Sequence, residues 1–294
     1  MKIGLIPNTT KMNTIDILND FLLLLEQFGI EYLFSDNLLE LKDQLVFRNT
    51  DTKFMSIKKL GESADIIVSF GGDGTMLHNA YELRGTKAPM LGLNLGKLGF
   101  LAEYEMKDVP QLVNELKENK FVIDERMALS AFNKNEPQNE LYAINDLVID
   151  KGRWQKMIEL TVKVDDHYVS TFSADGIIIA TPTGSTGYSL STGGPIVNPK
   201  ADAITISPIS PHTLTMRPLV LSSNQKIEIS VRSPYESVQV NCDGQRVYYY
   251  QSPVTLEINK SSQPVKLIHS NSSNYFEILR NKLFWGLDLR TNIS

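Results

Sequence analysis

The most informative part of the chain is Ile66-Ile67-Val68-Ser69-Phe70-Gly71-Gly72-Asp73-Gly74-Thr75. Residues 65–70 have the continuous apolar and β-branched character of a buried parallel strand. A helical pattern at residues 76–81 follows the glycines directly. This order predicts one unit of a parallel α/β sheet, with the glycine turn (residues 71–74) at the carboxyl end of the strand.

Asp73 is the one charged residue in the glycine turn. The glycines let the backbone approach a ligand closely, and the positive end of the following helix points to the same place. A phosphate group suits that geometry, and a carboxylate held there suits a general base or a metal contact. A tight turn that happens to contain aspartate explains the same pattern, because short glycine motifs have many false positives.

The first part of the chain alternates short apolar runs with helical patterns up to about residue 124, which is typical of parallel α/β units. Asp108 stands where a helix N-cap is expected, and Pro110 falls in the first turn of that helix. We therefore expect an α/β domain at residues 1–124. The predicted elements are strands at residues 3–6, 65–70 and 89–93 and helices at residues 16–28 and 109–118.

From residue 125 the pattern changes to an alternation of apolar and polar residues with period two. Turn residues such as Asp165-Asp166 and Ser252-Pro253 separate these runs, without a strong helical pattern between them. The pattern predicts a β-rich domain at residues 125–269, largely antiparallel, as a sandwich or as layered sheets. A helical pattern returns at residues 275–285, so residues 270–294 are expected to pack back on the first domain.

A second unusual stretch, residues 176–199, contains no charged side chain. Residues 176–180 predict a buried strand, which leads into a segment rich in Thr, Ser and Gly, the hydroxyl-rich segment (residues 181–195). Neutral hydroxyls, N–H groups and one aromatic ring suit a ribose, an adenine edge and a pyrophosphate. Asp175, just before the strand, could accept a hydrogen bond from such a ligand. The alternative is a flexible loop, which Pro182 and Pro195 disfavour.

Two adjacent polar residues, Asn145 and Asp146, interrupt an otherwise apolar run at residues 142–149. In a strand their side chains point to opposite faces unless a bulge redirects one of them. A bulge or an edge position explains the pair as well as a binding site does. Asp243-Gly244-Gln245 is predicted to be a hairpin turn first and a site second.

The composition is that of a folded globular protein: 42% of the 294 residues are hydrophobic, and the length suits two domains. A net charge of −5 argues against nucleic acid as the main partner. With one cysteine, Cys242, and four histidines without metal-ligand spacing, the sequence predicts no metal site made by protein side chains. It has no bilayer-spanning apolar stretch and no signal peptide, so we expect no membrane partner and a cytoplasmic location.

Together these motifs resemble the NAD kinase family, in the same order along the chain. The resemblance extends over nearly the whole sequence. The hydroxyl-rich segment is its most specific part, whereas the Gly-Gly-Asp-Gly element is shared with diacylglycerol kinases and phosphofructokinases. The matching motifs are Gly71-Gly72-Asp73-Gly74-Thr75, Leu98-Gly99-Phe100-Leu101, Asn145-Asp146, Asp175-Gly176, residues 181–191, Gly193-Gly194-Pro195, Pro211-His212-Thr213-Leu214 and Arg217-Pro218-Leu219-Val220.

The resemblance implies a Rossmann-like N-terminal α/β domain and a C-terminal β-rich, sandwich-like domain that binds NAD, assembled as a homotetramer. It implies phosphorylation of the 2′-hydroxyl of the adenosine ribose of NAD by ATP and Mg²⁺, giving NADP, with Asp73 as general base. The phosphate loop for ATP would comprise Gly71, Gly72, Gly74 and Thr75. The residues implied for the NAD site are Asp73, Gly74, His78, Phe100, Asn145, Asp146, Asp175, Thr183, Thr186, Gly187, Tyr188, Ser189, Leu190, Ser191 and Gln245.

The chain departs from the family pattern at three positions. Asn145-Asp146 stands where the family usually has Asn-Glu, and Gly187 replaces a common alanine. Ser173 replaces a basic residue that many members carry two positions before the equivalent of Asp175. A contact to the product's phosphate would then come from elsewhere, and Arg153 or Lys156 could supply it.

Two other classes of function remain compatible with parts of the pattern. A lipid or sugar kinase would share the glycine turn, but the uncharged hydroxyl-rich segment and the lack of a basic amphipathic helix disfavour a lipid substrate. A non-catalytic sensor of NADP(H) would keep the hydroxyl-rich segment without needing Asp73. The residues do not decide between NAD and NADH, between ATP and polyphosphate, or whether NADP(H) regulates the protein.

Overall fold

The computed structural model describes residues 1–11, 13–47, 53–96, 99–270 and 274–286. The chain divides into two compact units. Unit 1 comprises Met1–Glu125 and Lys266–Ser294, and unit 2 comprises Arg126–Val265. Within the described residues, no helix combines the length and the apolar character needed to cross a membrane.

Unit 1 is a layered α/β structure around one sheet of seven strands. The strands are β1 (Lys2–Pro7), β2 (Glu31–Ser35), β3 (Phe54–Met55), β4 (Ile66–Phe70), β5 (Met90–Leu93), β6 (Phe121–Arg126) and β19 (Val265–Ser270). Their order across the sheet is β3-β2-β1-β4-β5-β19-β6. The central pairs β1–β2, β1–β4 and β4–β5 are parallel, as the alternation of strands and helices predicts.

The helices of unit 1 follow the predicted apolar periodicity. In α1 the side chains of Leu18, Phe21, Leu22 and Leu25 are fully buried, which is the spacing of one helix face. Phe21 meets Phe70 of β4 edge to face, with ring centroids 5.3 Å apart. The α-helices are α1 (Thr14–Gln27), α2 (Ile57–Ser63), α3 (Asp73–Glu82), α4 (Val109–Lys117) and α6 (Tyr275–Leu283), and 3-10 helices span Asp36–Gln44 and Met106–Asp108.

Asp108 is the N-cap residue of α4, as predicted, but its side chain makes no capping bond to that helix. It accepts the Glu105 N–H at 2.9 Å, in a capping box around the preceding 3-10 turn. The chain also returns to unit 1 at Lys266, before the predicted residue 270. It does so because β19 pairs in parallel with β5, with Leu267 opposite Met90.

Unit 2 consists of two six-stranded sheets. Its strands are β7 (Leu129–Asn133), β8 (Glu136–Ala143), β9 (Asp146–Asp150), β10 (Ile158–Val164), β11 (His167–Ala174), β12 (Gly176–Ala180), β13 (Ala203–Ile209), β14 (Leu219–Ser222), β15 (Ile227–Arg232), β16 (Ser237–Cys242), β17 (Arg246–Gln251) and β18 (Val254–Lys260). One sheet has the order β11-β10-β15-β18-β7-β8, and the other has the order β14-β13-β12-β9-β16-β17.

The two sheets of unit 2 share one hydrophobic core. Leu160 and Ile229 of the first sheet and Ile177 and Val240 of the second belong to the same buried cluster. Every second residue of β10, β16 and β18 faces this core, which is the period-two pattern in the sequence. The prediction of layered antiparallel sheets is confirmed. Helical structure in the hydroxyl-rich segment was not predicted: a 3-10 turn, Thr183–Thr186, precedes α5 (Tyr188–Ser191).

Candidate active site

The glycine turn lies at the carboxyl edge of the parallel sheet in unit 1. β4 ends at Phe70, and α3 begins three residues later at Asp73. Asn8, directly after β1, donates its backbone N–H to the Phe70 carbonyl at 2.9 Å and its side-chain amide to the Thr75 hydroxyl at 3.0 Å. The start of α3 is therefore tied to the ends of two neighbouring strands, where α/β sheets bind their ligands.

The Asp73 carboxylate is fixed by three backbone N–H groups. Phe100 donates to Oδ2 at 2.9 Å, and Leu101 and Ala102 donate to Oδ1 at 2.9 and 3.2 Å. Hydrogen bonds to a charged acceptor are stronger than neutral ones, so these three set the orientation of the carboxylate. The side chain is 31% exposed, and a ligand can therefore reach it.

Gly99 is required by this arrangement. A Cβ atom at this position would lie 1.9 Å from Asp73 Oδ1, far inside van der Waals contact. The motif around Gly99 and the glycine turn thus form one hydrogen-bonded structure, although they are 26 residues apart. Leu98 of the same motif lies outside the described residues.

Two lysines that the sequence analysis did not single out lie beside the glycine turn. Lys282 on α6 places Nζ 3.9 Å from Asp73 Oδ2 and 5.2 Å from the centroid of the Phe100 ring. Lys11 places Nζ 3.7 Å from the position that a Cβ atom would take at Gly72. Both are remote from Asp73 in sequence and belong to no motif, so no local signal could have identified them.

The other predicted residues of unit 1 surround this carboxylate to different degrees. Gly74 and His78 are exposed on α3, whereas Gly72, Thr75 and Phe100 are half-buried. Gly71 is buried against the Thr75 side chain. The structure thus brings the predicted ATP loop and Phe100 together around Asp73, and it leaves His78 facing solvent.

Asn145 and Asp146 do not lie within one strand, in contrast to the single apolar run seen in the sequence at residues 142–149. β8 ends at Ala143, and β9 begins at Asp146, so that Ile144 and Asn145 form a bend between the two strands. The cause is a carboxylate from the hairpin between β16 and β17. Asp243 Oδ1 accepts the backbone N–H groups of residues 144, 145 and 146 at 2.8, 2.7 and 3.3 Å.

Asp243 is therefore more than a turn residue. Its side chain is fully buried, and its Oδ2 accepts a hydrogen bond from Arg246 at 2.7 Å; the Arg246 side chain is itself only 15% exposed. The predicted hairpin turn is confirmed, with Asp243 and Gly244 both at positive φ, and Gln245 directly after them. What the sequence could not show is that the turn carboxylate reaches back to residues about a hundred positions earlier.

Asp146 has an environment that alters its acidity. It is 5% exposed, and burial, followed by the neighbouring Asp243 charge, raises the pKa of the Asp146 carboxyl to about 7. Burial also raises the pKa of Asp243, against the opposing effects of the Asn145 N–H and Arg246. Two buried carboxyl groups at one turn are typical of sites that bind or transform a ligand.

The hydroxyl-rich segment packs directly against this turn. Thr181 Oγ1 donates to the Ile144 carbonyl at 2.6 Å and accepts the Gly184 N–H at 3.1 Å. A Cβ atom at Gly184 would lie 2.0 Å from the Asn145 carbonyl oxygen, so glycine is required there. A Cβ atom at Gly187 would stand 3.7 Å from Asp146 Oδ2, which brings that predicted residue beside the carboxylate.

Six of the eight hydroxyl groups in this segment make hydrogen bonds within the segment or to adjacent residues of unit 2. Ser185 donates to the Pro182 carbonyl at 2.6 Å, and Ser189 exchanges a hydrogen bond with Ser207 at 3.0 Å; both serines are fully buried. Thr183 is also buried. The bonds of Ser185 and Ser189 show that a polar segment can be internal when its hydroxyls find partners there. Among the predicted NAD-site residues of the segment, Gly187, Tyr188 and Ser191 are exposed, and Thr186 and Leu190 are half-buried.

Asp175 has a cationic partner that the sequence analysis missed. Lys151, directly after β9, places Nζ 2.6 Å from Asp175 Oδ1, with both side chains half-buried. Arg153, two residues after Lys151, places its guanidinium carbon 5.1 Å from the centroid of the Trp154 ring. Trp154 in turn stacks on Tyr235. Of the other proposed phosphate contacts, Ser173 is an exposed residue of β11, and Lys156 is exposed in the turn before β10.

Metal ligands do not cluster in the described part of the chain: no three His, Cys, Asp or Glu side chains there could hold an ion together. Asp73 is a single carboxylate, already engaged by backbone N–H groups. Such a site fits Mg²⁺ that is held mainly by substrate phosphates, because Mg²⁺ commonly binds proteins through only one or two carboxylates.

Comparison with known families matches both units. A model of the ATP-NAD kinase N-terminal domain matches residues 3–121, and a model of the ATP-NAD kinase C-terminal domain matches residues 144–270. The chain belongs to the NAD kinase family. The family resemblance seen in the sequence is thereby confirmed, and membership makes the protein a phosphotransferase with an alcohol group as acceptor.

Individual NAD kinases resemble the chain over most of its length. The NAD kinase of Geotalea daltonii is 41% identical over 227 residues, which cover 76% of this chain and 80% of that protein. The NAD kinase of Chlorobium phaeobacteroides is 34% identical over 288 residues, which cover 97% and 98%. The crystal structure of yeast NADH kinase complexed with NADH has the same fold, with a TM-score of 0.87 at 23% identity over 100% of this chain and 88% of that one.

Proposed function

We propose that this protein transfers the γ-phosphoryl group of ATP to the 2′-hydroxyl of the adenosine ribose of NAD, giving NADP and ADP. The observation that carries the proposal is the Asp73 carboxylate, oriented by three N–H groups at the start of α3 and still accessible. Phosphoryl transfer depends chiefly on positioning and charge neutralisation, and this geometry supplies a fixed acceptor for a proton.

Asp73 is the general base of the proposed reaction. It accepts the proton of the 2′-hydroxyl as the oxygen forms a bond to the γ-phosphorus and the bond from that phosphorus to the bridging oxygen of ADP breaks. The glycine turn (Gly71, Gly72, Gly74, with Thr75) at the N-terminus of α3 is the proposed loop for the donor's phosphates. The Gly71 N–H is donated to the Leu93 carbonyl at 2.9 Å, so Gly71 contributes its small size and no N–H donor. Mg²⁺ bound to ATP would neutralise phosphate charge.

The residues of unit 2 recognise the dinucleotide. Asp146 and Asn145 suit ribose hydroxyls, because a buried carboxylate accepts hydrogen bonds from hydroxyls and a side-chain amide can both accept and donate. Gly187 offers its backbone beside Asp146, and Tyr188, the next residue, offers an exposed aromatic ring. The remaining proposed contacts to NAD are His78, Phe100, Asp175, Thr183, Thr186, Ser189, Leu190, Ser191 and Gln245, with Arg153 or Lys156 meeting the product's phosphate in place of Ser173.

We also propose that the protein acts as a homotetramer in the cytoplasm. The two edge strands of the second sheet in unit 2 carry exposed apolar side chains. These are Leu219, Val220, Val247 and Tyr249, which are between 40% and 69% exposed. Exposed apolar side chains on the edge strands of a sheet are typical of surfaces at which another chain pairs. Light scattering should give about four times the chain mass of 33.0 kDa, and a stable single chain would refute the assembly.

The variant Asp73→Asn tests the role of the base. Turnover should fall by about 10²-fold or more, which is the usual contribution of a general base, while NAD affinity stays within a few-fold. NADP formation is measured with an NADP-specific dehydrogenase, and NAD affinity by calorimetry. The matched control is Asp65→Asn, at the other end of β4, which should keep wild-type turnover. Near-normal turnover in Asp73→Asn would remove Asp73 from the mechanism.

A further inference from the structure

Lys282 is the cation closest to the reacting carboxylate among the described residues of unit 1. It lies in the last turn of α6, and its Nζ is 3.9 Å from Asp73 Oδ2. That separation is longer than the 2.6 Å of a direct pair such as Lys151 with Asp175. Lys282 therefore lies next to Asp73 without forming a direct hydrogen-bonded ion pair with it.

The ammonium group of Lys282 is held in place but has hydrogen-bonding capacity left. It stands 5.2 Å from the centroid of the Phe100 ring, within the range of a cation–π contact. The side chain is 29% exposed, and in the described part of the chain the ammonium makes no hydrogen bond shorter than its approach to Asp73. A lysine carries three N–H donors, so donors remain for a ligand at this point.

The Lys282 ammonium lies between Asp73 Oδ2, 3.9 Å away, and the Phe100 ring, whose centroid is 5.2 Å away. Oδ2 is the oxygen that Lys282 approaches. Among the residues that the structure describes, Oδ2 accepts one N–H group, that of Phe100, whereas Oδ1 accepts two. Oδ2 is thus the oxygen better placed to take a proton from a substrate hydroxyl. A group that reacts at Oδ2 comes within reach of Lys282 Nζ.

We propose that Lys282 is a catalytic residue, which contacts the phosphoryl group during its transfer and offsets its negative charge. This inference rests on the proposed function, because it needs a phosphoryl group next to the hydroxyl that Asp73 deprotonates. Charge spreads over the oxygens of that group in the transition state, and a preorganised cation stabilises it there more than in the ground state. The C-terminal helix α6 is then part of the catalytic apparatus of unit 1.

The test compares Lys282→Met with Arg280→Met, which removes the same charge from an exposed position on the same helix. Lys282→Met should lower kcat by about 10²-fold, the scale for removing one preorganised donor, with KM for NAD within a few-fold. Arg280→Met should keep wild-type kcat. Lys282→Arg, which restores the charge, should recover part of the lost kcat. NAD binding by calorimetry shows that each variant is folded.

The outcomes separate this inference from the function on which it rests. If the wild-type protein forms no NADP, the proposed function fails. If the wild type is active and Lys282→Met matches Arg280→Met, the role of Lys282 is overturned. A change in the KM for NAD with kcat unchanged would also overturn it, since it would place Lys282 at substrate binding. If Lys282→Arg has no higher kcat than Lys282→Met while both bind NAD normally, the proposal that the positive charge of Lys282 offsets the charge of the phosphoryl group is overturned.

Discussion

The buried pair of Asp243 and Arg246 should hold the Asn145–Asp146 turn in place, and Asp243→Asn tests this most sharply. Asparagine keeps one carbonyl oxygen for the N–H groups of residues 144–146. It loses the charge that faces Arg246, and its amide can present a second donor to the guanidinium. The predicted defect is therefore electrostatic, with little change in volume.

The magnitude follows from how deeply the pair is buried. The Asp243 side chain is 0% exposed and that of Arg246 is 15% exposed, so solvent screens the pair very little. Removing one partner of such a pair leaves a buried charge uncompensated, which typically costs about 3–5 kcal/mol. We expect Asp243→Asn to lower the free energy of unfolding by about this amount and to raise the KM for NAD at least about tenfold, because the turn relaxes.

Urea unfolding and steady-state kinetics measure the two effects. The matched control is Asp166→Asn, which neutralises an aspartate in a turn of the same unit whose partner is Lys226. The Asp166 side chain is 75% exposed and its ion pair is screened by solvent, so this change should leave the free energy of unfolding close to the wild-type value. If Asp243→Asn unfolds like the control and keeps the wild-type KM, the reasoning about this buried pair is wrong.

Two further changes address the carboxylates at each site. Gly99→Ala should lower kcat by about 10²-fold, because a Cβ 1.9 Å from Asp73 Oδ1 must displace the base. The control Gly96→Ala, at a position with open space around it, should keep the wild-type kcat. Equal kcat values for the two variants would contradict this reasoning. Protonated Asp146, with a native pKa of about 7 against 3.8 unfolded, stabilises the fold fully below pH 3.8 and progressively less up to pH 7. Between pH 5 and 7 the free energy of unfolding of the wild type should therefore fall by about 2–3 kcal/mol, whereas that of Asp146→Asn should lack this decrease. If urea unfolding gives the two proteins parallel pH profiles, the raised pKa of Asp146 is refuted.

The elements that could be predicted are those whose signals are local. The β-branched run at Ile66–Phe70 and the helix face with Leu18 and Phe21 follow directly from apolar periodicity. The glycine turn could be placed at the sheet edge for the same reason. In these segments the secondary structure is set by neighbours in sequence, and burial then follows from the pattern.

The parts that could not be predicted depend on contacts between distant segments. Asp243 turns the chain at residue 145 through its carboxylate, so the apparent single strand at residues 142–149 is two strands. Lys282 reaches Asp73 from more than 200 residues away, and Lys151 reaches Asp175 only because β9 and β12 are neighbours in the sheet. No spacing rule carries that information, because each partner lies on an ordinary-looking element.

The position of the phosphate in the product tests the central claim most directly. The purified protein is incubated with NAD, ATP and Mg²⁺, and the product is identified by phosphorus NMR and by its use in an NADP-specific dehydrogenase, with Asp73→Asn in parallel. We predict one ADP per NADP, with the new phosphate on the 2′-oxygen of the adenosine ribose, and a rate about 10²-fold lower in the variant. Failure of the wild type to form NADP, or a phosphate on any other hydroxyl, would contradict the proposal.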